Sequence, residues 1–120
     1  MSRYGYTPLL NATYNNNLAI VNALIKAKAD INKAGNDGYT PLLNAIYNNN
    51  LDIVNALIKA KANINIVAKD GSTPLLNAIN NNNLDIVNAL IKAKANINIT
   101  GAVKDAYSKY LAKNISIAKK

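Results

Sequence analysis

An all-α architecture of stacked helix-turn-helix units is what this sequence predicts, and three observations predict it. Thr7-Pro8-Leu9-Leu10-Asn11-Ala12 returns as Thr40-Pro41-Leu42-Leu43-Asn44-Ala45 and again as Thr73-Pro74-Leu75-Leu76-Asn77-Ala78, each time 33 residues further on. Every copy carries start and stop signals for two short helices. Neither helix reaches the ~12–15 residues that hold a helix together alone in water, so each must bury a face on its neighbours.

In the first copy, Thr7 is a good N-cap and Pro8 suits the first helical position, where its missing N–H costs nothing. Leu9, Leu10, Ala12 and Thr13 follow at helical spacing. Asn15-Asn16-Asn17 ends that helix, because Asn tolerates the left-handed conformation and caps the next helix through its side chain. Leu18, Ile20, Val21, Leu24 and Ile25 form the apolar stripe of a second helix, with Lys26 and Lys28 at its C-terminal end, where cations complement the macrodipole. Asn36-Asp37-Gly38 is a turn leading into the second copy. Between positions 40–66 and 73–99 the copies differ only at Tyr47 against Asn80. The first copy departs at Thr13, Ala19, Asp30 and Lys33, which stand where the second has Ile46, Asp52, Asn63 and Ile66. The last segment breaks the pattern, with Ala106-Tyr107 where Thr-Pro falls in the copies. Val103, Tyr107, Tyr110, Leu111, Ile115 and Ala118 still trace one helical face, so residues 103–118 read as a capping helix with a polar outer side. Residues 1–120 form one domain, with repeats at about 3–35, 36–68 and 69–101.

Composition excludes whole classes of chemistry. The chain has no Cys, His, Trp or Phe, and its six acids are all Asp. Disulfides, thiolate zinc sites, cysteine nucleophiles and imidazole acid–base catalysis are therefore excluded. Asp52 and Asp85 fall one repeat apart, ~10 Å, too far for a carboxylate dyad or shared metal ligation. No Gly-rich phosphate loop occurs. These absences predict a non-enzyme without cofactor, metal or small-molecule substrate. The first six residues lack a hydrophobic signal region and no run is long enough to span a membrane, which predicts a cytoplasmic protein.

Asp-Gly-x-Thr-Pro-Leu, an Ala three residues on, Ile-Val-x-x-Leu-Ile and a closing Ala-x-Ile-Asn, at a period of 33, resemble the ankyrin repeat over roughly residues 3–101. The resemblance implies a solenoid of helix pairs with hairpin-like fingers projecting from one edge. Two departures stand out. Leu10, Leu43 and Leu76 occupy the place of the family's usual His, so packing replaces its hydrogen bonds. Lys28, Lys61 and Lys94 stand where the family favours Gly; at positive φ each is strained by about 1 kcal/mol.

The resemblance also places Tyr4, Tyr6 and Tyr39 in the fingers and Tyr14 and Tyr47 at the ends of the first helices, positions that line the family's concave binding face. Ser72 and Asn80 replace Tyr39 and Tyr47 in the third copy, so contact-type positions vary while the framework is constant. Tyrosine is a favoured contact residue, large, amphipathic and low in rotamer entropy. These seven residues are the candidate partner-binding set, with a hot spot toward the N-terminus. Three Asn columns (Asn11/Asn44/Asn77, Asn22/Asn55/Asn88 and Asn32/Asn65/Asn98) are read as structural, the middle one as solvated.

Fourteen Lys and Arg against six Asp give a net charge of +8, and Lys26/Lys28, Lys59/Lys61 and Lys92/Lys94 form a basic ladder. No aromatic residues interleave with them and no nucleic-acid signature is present, so nucleic acid or an anionic membrane is disfavoured against an acidic protein partner. The expected function is a non-catalytic protein-binding module. Near-identity of the copies supports a second expectation, a consensus-like or engineered repeat scaffold with no native partner.

Overall fold

Seven helices succeed one another in the computed structural model, which describes the backbone of residues 5–118 and the side-chain surroundings of residues 5–114. They are α1 (Pro8–Tyr14), α2 (Leu18–Lys26), α3 (Pro41–Tyr47), α4 (Leu51–Lys59), α5 (Pro74–Asn80), α6 (Leu84–Lys92) and α7 (Gly101–Ala118). The inner helices α1, α3, α5 and α7 pack in succession, while the outer helices α2, α4 and α6 meet more sparsely behind them. The array measures 49 × 26 × 20 Å. No strand and no helix long and apolar enough to cross a membrane occurs among the described residues.

Local chemistry sets each boundary. The hydroxyls of Thr7, Thr40 and Thr73 accept from the N–H of Leu10, Leu43 and Leu76, with Pro at the first helical position. Asn17, Asn50 and Asn83 cap the outer helices in the same way. Between the two helices, Asn16, Asn49 and Asn82 adopt φ of 59°, 56° and 55°. Lys28, Lys61 and Lys94 follow the outer helices at φ of 64°, 73° and 69°, the strained conformation expected of them. Each ends its helix in a left-handed cap: the Lys61 N–H donates to Ile58 O and the Ala62 N–H to Leu57 O, both at 3.0 Å.

The core is one continuous column. Leu9, Leu42 and Leu75 stack from repeat to repeat with Ala12, Ala45 and Ala78 and with Val21, Val54 and Val87, and Val103 closes the series. Leu10 and Leu43 are fully buried but lie outside that column. Leu76, with no further finger above it, is only half-buried.

The Asn triplets do more than break helices. Asn48 Nδ2 donates to the Tyr14 carbonyl at 3.0 Å, capping the end of the preceding repeat's inner helix, and Asn81 Nδ2 does the same to Ile46 O at 3.2 Å. Asn50 and Asn83 reach back to Asn16 and Asn49. In the exit loops the N–H of Asn63 and of Asn96 donate to Asn32 and Asn65 Oδ1, both at 2.8 Å. The exit-loop column is thus structural, as its periodicity predicts, and Asn22, Asn55 and Asn88 are exposed.

The C-terminal helix starts two residues before the expected Val103. It begins at Gly101 because Thr100 acts as its cap, accepting from the Val103 N–H at 3.2 Å. The chain passes from the third exit loop directly into α7 without building a fourth finger. Val103 is fully buried, and Tyr107 and Tyr110 stack against each other on the core, but Leu111, expected on the inner face, is 38% exposed. α7 packs chiefly on α5, and Leu84 at the start of α6 stays exposed. The expected inward positions Ile115 and Ala118 have side chains outside the described residues, as do Tyr4 and Lys119-Lys120.

Candidate functional site

The fingers are tight turns held by few bonds. Gly35 N–H donates to Tyr39 O at 3.0 Å and Ala68 N–H to Ser72 O at 2.8 Å, which closes each loop like a hairpin tip. Asp37 and Asp70 bend the backbone by accepting from the N–H of Tyr39 and Ser72, both at 2.9 Å. Gly38 sits at φ 82° with its Cα facing the next finger, where a Cβ would lie 3.1 Å from the Lys69 backbone nitrogen. The Lys69 ammonium donates back to Asn36 O at 2.6 Å.

Tyr39 spans two fingers. Its hydroxyl lies 2.9 Å from Asp70 Oδ2, to which it donates, and 2.9 Å from Ser72 Oγ. Burial raises the affinity of this hydroxyl for its proton; Ser72 opposes the rise and the Asp70 carboxylate adds to it. Asp70 is correspondingly held below the ordinary carboxylate range, first by the Ser72 N–H, then by the Ser72 and Tyr39 hydroxyls. Tyr39 therefore faces the junction of the second and third repeats.

Tyr6 shows the same habit one repeat earlier. It is half-buried, and its hydroxyl is raised above the usual tyrosine value by burial and then by the Asp37 charge of the next finger, while the Asn44 side chain on α3 pulls the other way. The Tyr6 ring meets Tyr14 edge-on, centroids 6.2 Å apart at 64°. Asn44 Nδ2 is buried and finds no acceptor in good hydrogen-bond geometry.

The helix-end column behaves differently. Tyr14 is 60% exposed and Tyr47 69% exposed. Tyr47 forms no ring pair or side-chain hydrogen bond among the described residues, so nothing internal explains its size. In the third repeat Asn80 is exposed and borders a groove of about 340 Å³ against α7, where Ile79, Tyr110 and Lys109 also stand. The structure thus joins Tyr6 to Tyr14 and Tyr39 to Ser72. It leaves Tyr47 alone at the end of its helix and sets Asn80 at the rim of the groove against α7.

Three working residues escaped the sequence reading. Asp70 was visible as a turn former, recurring with Asp37 two positions before Ser72 and Tyr39, but not as the anchor of a tyrosine 31 residues away. Asn48 and Asn81 were visible as helix breakers, and their recurrence at the repeat period is the signal that also marks them as bridges.

A family model for ankyrin repeats, three copies, matches residues 9–101. No curated protein sequence matches the chain.

Proposed function

From the premise that this chain belongs to the ankyrin-repeat family, whose members are generally protein–protein interaction modules, we propose that it is a non-catalytic binding module that engages a protein on its concave face. The observation that carries this reading is Tyr47. A large amphipathic ring stands 69% exposed with no internal partner, one period from Tyr14, which is exposed as well. Aromatic rings that leave water on binding dominate interface energetics. Tyr6 forms the wall beside Tyr14, and Ser72 and Asn80 leave the third repeat without aromatics, so the hot spot falls toward the first two repeats. The +8 charge favours an acidic partner, and the absence of His, Cys and Glu argues against turnover. A cytoplasmic setting accords with a cysteine-free, basic chain.

The test is a Tyr14→Ala/Tyr47→Ala variant. It is expected to melt as the parent does and to bind a crosslinked cellular partner at least ~30-fold more weakly, about 2 kcal/mol. A variant that folds and binds normally places the site elsewhere.

One observation favours a second reading, a structural scaffold without a partner. The finger tyrosines Tyr6 and Tyr39 direct their hydroxyls to groups on the next repeat, as a packing residue does. That reading gains if the Tyr14/Tyr47 variant loses stability and no partner is found.

A further inference from the structure

A cationic edge runs diagonally opposite the tyrosine face. Each inner helix leads away from its finger and each outer helix leads back, so α2, α4 and α6 end at the finger side, far from Tyr14 and Tyr47. Lys26 and Lys28, Lys59 and Lys61, and Lys92 and Lys94 stand at those ends, all exposed. None of these six ammonium groups makes an ion pair or hydrogen bond among the described residues. The acids of the outer helices, Asp52 and Asp85, occupy the opposite ends, on the order of 10 Å away along the axis. In the second and third exit loops Asn63 and Asn96 replace the Asp30 of the first, so the ladder is flanked there by amides. Three of the six lysines keep a left-handed backbone that glycine would adopt without strain, and a cation stands at each.

We propose that this lysine edge is a second binding surface, and that its occupant is an extended acidic peptide lying along the solenoid axis with a carboxylate at every third residue. The register follows from two spacings. Neighbouring helices stand ~8–10 Å apart, so the lysine pairs recur at that interval. An extended chain in the polyproline II conformation advances ~3.1 Å per residue with three residues per turn, so every third side chain recurs at about the same interval and on a common side. Three lysine pairs then meet three carboxylates in phase. A nucleic-acid strand is the weaker fit, because no aromatic ring interleaves with these lysines to stack a base. The proposal does not rest on the tyrosine face; the two surfaces share no residue.

The experiment uses two synthetic peptides of about twelve residues built from Glu and Thr, one with Glu at every third position and one with the same Glu residues in a block. Each is titrated against the full chain by fluorescence anisotropy at low salt. The spaced peptide is expected to bind roughly fivefold more tightly, the gain from two further exposed ion pairs held in register. A Lys28→Gly/Lys61→Gly/Lys94→Gly variant is expected to lose at least ~tenfold in affinity while melting at a higher temperature, so unfolding cannot explain the loss. Lys26→Gln/Lys59→Gln/Lys92→Gln, which leaves the caps untouched, is expected to lose a similar factor. Equal affinity for the two peptides overturns the proposal in favour of undirected charge attraction. So does undiminished binding by both variants, or tighter binding of an oligothymidylate with the same number of charges. Loss of peptide binding in the Tyr14→Ala/Tyr47→Ala variant would show that the concave face, and not this edge, holds the peptide.

Discussion

The first and second repeats carry nearly the same residues and bury them differently. Ile20 on α2 is 48% exposed, whereas its counterparts Ile53 and Ile86 are fully buried. Leu24 is half-buried where Leu57 and Leu90 are buried completely. The inner helices repeat the contrast, since every residue from Pro41 to Ile46 is buried while Pro8 and Asn11 lie open. The capping residues are the same in the two repeats and the helices differ only at Thr13/Ile46 and Ala19/Asp52, away from these positions, so the difference comes from the neighbour. The second repeat has one on each side; the described first repeat has one. In a solenoid the stability of a residue belongs to the junction it lies in, not to the repeat that encodes it.

The sharpest way to break this comparison is at its most unequal pair. Ile53→Ala is expected to cost about 2–5 kcal/mol, the usual range for emptying a filled core position, and Ile20→Ala less than about 1 kcal/mol. Denaturant midpoints with unchanged slopes would measure both. Equal losses would mean that the first repeat is covered by something on its outer side.

A smaller effect tests the fingers. Tyr39→Phe removes a hydroxyl with two partners on the third repeat and is expected to cost about 1 kcal/mol; Tyr47→Phe removes one with none and is expected to cost nothing measurable. The sign with pH follows from the shifts. The Asp70 carboxyl is depressed in the folded state, so its contribution is present above the ordinary value of 3.8 and fades as pH falls through the lower folded value. The Tyr39 hydroxyl is raised, so its contribution is complete below 10.0 and fades as pH climbs through the higher folded value. The Phe variant should therefore flatten the alkaline limb of the stability profile and the acid limb only in part, since Ser72 leads the depression of Asp70, as thermal melts across pH would report.

Backbone strain supplies the smallest and most uniform test. Lys61→Gly is expected to raise stability by roughly 1 kcal/mol, and Lys28→Gly by the same amount, because a left-handed residue is strained by its own Cβ and not by what packs nearby. A larger gain in the second repeat than in the first would show that the neighbour reaches even this term. The midpoint of chemical unfolding measures both.

What the sequence made legible was the part decided within a repeat. Thr7, Pro8, the Asn turn and the left-handed lysines are local solutions to local problems, and each could be read from a few consecutive residues. What escaped depends on who stands next door. Ile20 has the stripe position of a buried residue and lacks the covering surface. Tyr39 reads as a contact residue, yet its hydroxyl is taken up by Asp70 and Ser72 on a finger that no local pattern brings near. The start of α7 escaped for another reason. The apolar face reads from Val103, but Thr100 caps the helix two residues earlier, where a finger was due. Of the candidate residues, Tyr14 and Tyr47 keep the exposure that a contact role requires, and Tyr6, Tyr39 and Ser72 are shared with the framework.

The amide bridges that run from Asn48 to the Tyr14 carbonyl and from Asn81 to the Ile46 carbonyl also give the molecule a mechanical character. Pulled by its two termini, the chain would carry tension through its junctions in series, and load would not be shared among them. The first helix pair, gripped from one side only among the described residues, is then the fuse. Its release would free about 33 residues, a lengthening on the order of 100 Å at ~3.3 Å per residue. The remaining junctions would meet the same force intact, so the force–extension trace should be a short staircase and not a single rip.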